Sequence, residues 1–163
     1  MTPHQVRAQA NEQSPHEVRN VISANPFLLI ATWFNGEYER KVSLSSTLGL
    51  RVSTLSLDID DSIDDDVDAD YYSGRIFWRY YPRAAFRGFF FGLGAGLTSV
   101  EETGETHSAL GAGFDLGYSW LLGRRDNFYI SLGAGADRLF GGDLGGASAV
   151  IPTFRIVNIG FAF

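Results

Sequence analysis

The 163-residue sequence predicts an all-β protein, an eight-stranded antiparallel up-and-down transmembrane β-barrel. Three observations carry that reading. Apolar and small or charged residues alternate at period two in segment after segment, which is the periodicity of a strand with unlike faces. No run of 18 apolar residues exists to form a spanning helix, and the mean hydropathy of -0.03 still suits a barrel, whose strands bury only alternate residues in lipid. Finally, the terminal stretch Val157, Asn158, Ile159, Gly160, Phe161, Ala162, Phe163 alternates strictly and ends on an aromatic residue. Val157, Ile159, Phe161 and Phe163 form one apolar face, as expected of a closing strand paired to its end.

Residues 1–18 read as a flexible leader or the remnant of an export segment, because they show no periodicity and contain Ala8-Gln9-Ala10, the small-x-small form of a cleavage site. Residues 19–163 form the barrel. A first strand is expected over 19–29, a reversal over 30–34 and a return over 35–42, with Pro26 as a defect of the first strand. Strands follow over 44–56, 71–81 and 88–99, then over 110–120, 128–137 and 151–163. Short turns carry Arg40, Lys41, Arg83, Arg87, Arg124 and Arg125, whereas the longer loops are acidic. Trp33, Tyr71, Tyr72, Trp78, Tyr80, Tyr81 and Trp120 fall where interfacial aromatic girdles would lie. No segment shows a helical period.

Residue size orients the wall. Phe, Leu, Trp and Tyr dominate one face and Gly, Ser, Asp and Arg the other, and the interior of an eight-stranded barrel is only wide enough for side chains. The small, charged face is therefore the inner one. Its charged set is Glu37, Glu39, Arg51, Arg75, Arg79, Asp115 and Asp137, expected to pair across the lumen because isolated buried charge is costly.

The net charge of -6 is concentrated. Eight aspartates lie between Asp58 and Asp70, and without them the remainder carries +2, so no basic nucleic-acid surface is present. The aspartate run invites a calcium reading through Asp60, Asp64, Asp66 and Asp68, but Ile63 and Ala69 occupy positions where an EF-hand loop needs glycine and glutamate. A solvated surface loop, or loose divalent bridging to lipopolysaccharide phosphates, explains it as well. No cysteine is present and no cofactor is expected. A lipid-modifying hydrolase would have to use His107 as its base, yet its neighbour Ser108 points to the opposite strand face. A soluble lipocalin-like barrel binding an apolar ligand would turn the Phe, Leu and Trp face inward, and a small gated pore is a further alternative.

The terminal alternation ending in Phe163 resembles the C-terminal assembly signal of Gram-negative outer-membrane proteins. Asn25-Pro26-Phe27, Glu37-Tyr38-Glu39-Arg40, Arg79-Tyr80-Tyr81-Pro82 and Gly88-Phe89-Phe90 resemble a family of small outer-membrane barrels of uncharacterised function, similar in architecture to the OmpA transmembrane domain. That resemblance implies a multi-pass protein of the bacterial outer membrane with both termini periplasmic. It also implies outer-membrane lipid and lipopolysaccharide as neighbours, insertion by the barrel assembly machinery and a monomeric state. It implies no enzymatic activity.

Overall fold

The computed structural model describes residues 17–30, 32–59, 67–102, 105–140 and 150–163. Residues 1–16 of the leader and the centre of the aspartate run, including Asp60, Asp64 and Asp66, lie outside the described residues, while Val18 joins the buried core and Asp68 belongs to a strand. Eight strands run in chain order: β1 (Asn20–Ala24), β2 (Trp33–Lys41), β3 (Ser46–Ile59), β4 (Val67–Tyr80), β5 (Gly88–Glu102), β6 (Glu105–Leu122), β7 (Phe128–Phe140) and β8 (Val150–Ala162). Each pairs antiparallel with its sequence neighbours, and β1 pairs with β8 to close the barrel. The predicted fold class is therefore the observed one.

Closure is fixed at the terminus end. Val21 faces Ala162 and Ala24 faces Ile159, while the Phe163 carbonyl accepts from the Arg19 and Asn20 amides at 3.0 and 2.7 Å. The Phe163 amide donates to the Asn20 carbonyl at 2.9 Å. These bonds satisfy backbone groups that an open sheet would leave bare.

The first hairpin departs from expectation. A five-residue helix, α1 (Pro26–Ile30), replaces the upper half of the predicted first strand. Asn25 caps it: its buried side-chain Oδ1 accepts from the Phe27 and Leu28 amides at 3.0 and 3.3 Å. Pro26 then occupies the first helical position, where its fixed φ is favourable and its missing N–H costs nothing. Because β1 stops at Ala24 while β2 and β8 continue, α1 packs against both and covers the seam between them.

Strands β3 to β7 are longer than expected, 13 to 18 residues each, while β8 keeps its expected length of 13; β3 and β4 extend into the acidic segment, where Asp58 lies opposite Asp68. In β8 the ladder slips. Ser131 pairs with Asn158 but Gly133 pairs with Arg155, so β8 spends three residues where β7 spends two. That is a β-bulge, and it reverses the inward phase of everything before it.

The outer face is apolar along the barrel: Leu48, Leu50, Ile76, Phe89, Leu93, Leu97, Phe114 and Leu132 are all exposed. The terminus end of the lumen is filled. Val18, Val21, Ala85, Phe86, Tyr129 and Ala162 form a buried cluster, against which Tyr81 packs with ring centroids 6.2 Å from Phe86 and 5.5 Å from Phe90. Phe86 adopts φ 67°, a left-handed conformation costing about 1 kcal/mol or more, and its burial offsets that cost. Tyr81 is therefore a lumen plug and not part of a girdle. Trp33 and Tyr71 also turn inward, with ring centroids 6.3 Å apart, leaving Tyr72, Trp78, Tyr80 and Trp120 on the outer face.

Candidate functional site

The inner wall positions its charges by parity. Glu37 and Glu39 are two apart on β2, and Arg75 and Arg79 four apart on β4, so each set projects from one face. Register then sets their heights: Glu37 lies beside Arg51, Arg51 beside Arg75, and Asp115 beside Gly92. All seven charged residues expected on the lumen side are found there.

Arg79 is the hub. Its fully buried guanidinium donates to Glu39 Oε2 at 2.5 Å, to Glu37 Oε2 at 2.9 Å and to Asp115 Oδ2 at 3.3 Å. Its Cζ lies 4.0 Å from the centre of the Phe77 ring and 4.9 Å from that of Phe90, so two aromatic rings complete its surroundings. Glu39 also accepts from the Tyr81 hydroxyl at 2.7 Å and from Thr47 Oγ1. Glu37 is shared, taking Arg51 Nε at 2.6 Å as well. Arg75 pairs with Asp137 one level nearer the loop end.

Sequence parity missed one member. Arg155 donates to Glu37 Oε1 at 2.8 Å and to Asp115 Oδ2 at 3.3 Å. Counted back from Phe163 without interruption, Arg155 shares the phase of Val157 and should face outward; the bulge turns it into the lumen. With it, Glu37, Glu39, Asp115 and Asp137 meet Arg51, Arg75, Arg79 and Arg155, and the buried set is neutral. Multiple charge-assisted bonds per group are the condition under which buried charges are tolerated.

Above this layer the lumen is not filled. A cavity of about 350 Å³ opens towards the loop end, walled by Leu28 of α1, Trp33, Tyr71 and Pro152 and floored by Glu37, Arg51, Asp137 and Asn158. Ser53, Ser73 and Thr153 add hydroxyls to the lining, so apolar surface is interspersed with a few polar groups, as in many small-molecule pockets.

The other sequence candidates are not brought together with this network. Val157, Ile159, Phe161 and Phe163 lie on the seam strand, with Ile159, Phe161 and Phe163 exposed on the outer face. No metal-holding group of carboxylates or histidines occurs among the described residues. His107 and Ser108 are successive residues near the loop end of β6, and Ser108 Oγ shares a 2.8 Å hydrogen bond with Ser99 Oγ.

A family model described as a protein of unknown function, DUF3575, matches residues 5–139. The chain belongs to that family. No curated protein sequence matches it. Among solved structures it is similar to the Yersinia pestis outer membrane protein Ail in a phospholipid bilayer nanodisc. The two are 16% identical, with a TM-score of 0.50, over 90% of this chain and 100% of that one. The likeness is one of fold, a closed eight-stranded barrel.

Proposed function

We propose that the chain is an integral outer-membrane β-barrel protein with a structural or surface-interaction role. One observation carries the reading: the wall is inside-out relative to a soluble carrier. Large apolar side chains cover the outside, while the inside holds four guanidinium groups and four carboxylates. A lipocalin-like barrel would need the reverse. Exposed apolar area on this scale is what lipid covers.

In this reading the termini and the basic short turns are periplasmic and the acidic long loops extracellular. At about 3.3 Å per residue, the 18 residues of β6 run roughly 60 Å, well beyond an apolar band of about 25 Å even when tilted. The strands thus carry the acidic loops clear of the bilayer, where they would meet lipopolysaccharide and external partners. Assembly would proceed through the barrel assembly machinery, with β8 as the recognised strand, and the inserted protein would be a monomer. The role is non-catalytic: His107 and Ser108 project from opposite faces of β6. The plug of Tyr81, Phe86, Phe90 and Tyr129 favours a closed lumen over a pore.

Detergent dependence tests the membrane reading. The refolded protein should be monodisperse only in detergent or bilayers and should migrate differently on a denaturing gel before and after boiling. Monodisperse protein in plain buffer would overturn it. Planar-bilayer recordings should show no steady conductance.

A further inference from the structure

The cavity at the loop end is a feature that a purely structural role leaves unused, and we propose that it binds a small neutral sugar of about one pyranose ring. This inference rests on the barrel interior alone and stands apart from the envelope role proposed above.

Four features of the cavity specify the ligand. Its size, about 350 Å³, lies at the lower end of the range for small-molecule sites. Its wall presents two aromatic rings, Trp33 and Tyr71, held edge to face. The Trp33 indole N–H is already committed to Ser53 Oγ at 2.5 Å, so the ring offers its apolar surface and its polar edge is satisfied. Such a surface fits the C–H face of a sugar ring.

The floor supplies both donors and acceptors without a bound partner. Asn158 is 1% exposed, yet among the described residues neither its Oδ1 nor its Nδ2 is hydrogen-bonded. A buried amide costs stability when left unpaired, so both atoms call for a group that can donate and accept. A hydroxyl does both. Among the described residues Arg51 bonds Glu37 through Nε only, which leaves its two terminal nitrogens for other partners at the cavity edge, and Asp137 uses Oδ1 for Arg75 while its Oδ2 makes no hydrogen bond.

Charge selects neutrality. The cavity is bordered by Arg51, Arg75 and Arg155 against Glu37, Asp115 and Asp137, an equal number of each sign. An anionic or cationic ligand would bring an uncompensated charge into that balanced, half-enclosed space. A polyhydroxyl ring would not.

The test uses the full chain refolded in phospholipid nanodiscs, which avoids sugar-headed detergents. The indole N–H resonance of Trp33 is assigned with Trp33→Phe, then followed during titration with D-glucose, N-acetyl-D-glucosamine and, as a zwitterionic control, glycine. A ligand of a dozen or so heavy atoms at ordinary efficiency binds with a Kd of about 1 mM. At least one sugar should therefore shift the Trp33 resonance saturably, and glycine should not. Thr153→Phe, which fills the cavity without touching an ion pair, should weaken binding at least about tenfold. Asn158→Ala, the milder change, should weaken it about fivefold, and boiling-dependent gel migration verifies that each variant is folded. Absence of any shift up to about 50 mM sugar would overturn the proposal. A shift by glycine alone, or a sugar response unchanged in both folded variants, would overturn it equally.

Discussion

Replacing Arg79 with methionine removes the hub of the lumen and separates the network's members by how many partners each retains. Glu37 keeps Arg51 and Arg155, and Asp115 keeps Arg155. Among the described residues Glu39 keeps only the Tyr81 and Thr47 hydroxyls, with no cation in contact. Removing one partner of a buried pair costs about 3–5 kcal/mol because the other charge is stranded. Arg79 also gives up its contacts with the Phe77 and Phe90 rings, so Arg79→Met should lose about 4 kcal/mol. At an m-value of about 2 kcal/mol/M, that lowers the urea midpoint of the barrel refolded in lipid vesicles by about 2 M. Arg51→Met is the contrast, since it strands nothing and should lose only about 1.5 kcal/mol. Adding Glu39→Gln to Arg79→Met removes the stranded charge and should restore about 2 kcal/mol, giving a coupling of that size in a double-mutant cycle. The reasoning is refuted if Arg79→Met unfolds within about 0.5 M urea of the parent, or if the Arg79–Glu39 coupling is below about 0.5 kcal/mol.

Four further expectations follow from single features. A methyl group at Gly49 would meet the Phe77 ring and the Tyr38 carbonyl, so Gly49→Ala should cost about 1–3 kcal/mol; at Gly74 nothing lies within 4 Å, and Gly74→Ala should stay within about 0.5 kcal/mol in the same urea titration. Deleting Val157 removes the extra residue of the β8 bulge and leaves Arg155 two places before Asn158, still in inward phase, so the deletion should fold and retain boiling-dependent migration, whereas deleting Ile130 from unbulged β7 should abolish it. Phe163→Ala keeps the backbone bonds to Asn20 while removing the terminal ring, so it should reduce the folded barrel recovered from cell membranes more than it changes the urea midpoint after refolding in vitro. Outside the spanning region, the hydrogen bonds from Lys41, then Arg19, hold the Glu17 carboxyl below its ordinary value of 4.5. The contribution is present above that value and lost as pH falls through the lower folded-state one, so Lys41→Ala should raise the Glu17 pKa measured by NMR titration.

How much of this was legible in the sequence depends on whether parity or residue type was the better guide at each position. Parity places Glu37, Glu39, Arg51, Arg75, Arg79, Asp115 and Asp137 inside, because a strand cannot shift one side chain across the wall without shifting all its neighbours. Residue type misleads for Tyr71 and Tyr81. They share the phase of Arg75 and Arg79, yet aromatic character near strand ends suggests a girdle. At Asn25-Pro26 the signal is present in another form, since an N-cap residue followed by proline is the start of a helix as much as the interruption of a strand. A five-residue helix is too short for its period to show.

Arg155 and the cavity resist sequence reading for a deeper reason. A bulge leaves no composition mark of its own, and the only hint is a guanidinium falling in a phase otherwise occupied by Val157, Ile159 and Phe161. In a lipid-facing position that charge would be expensive, so the cost itself argues for a phase reversal somewhere between Arg155 and Asn158. The same reversal decides what the lumen contains. It supplies the fourth cation, which makes the buried set neutral, and it brings Thr153 inward with Arg155, one level nearer the loop end. A small hydroxyl there, opposite Gly135, Ser53 and Ser73, leaves the space that becomes the cavity. One inserted residue in β8 therefore links the closed, paired half of the barrel to the open half above it. The Val157 deletion and the Thr153→Phe titration examine the two ends of that link separately.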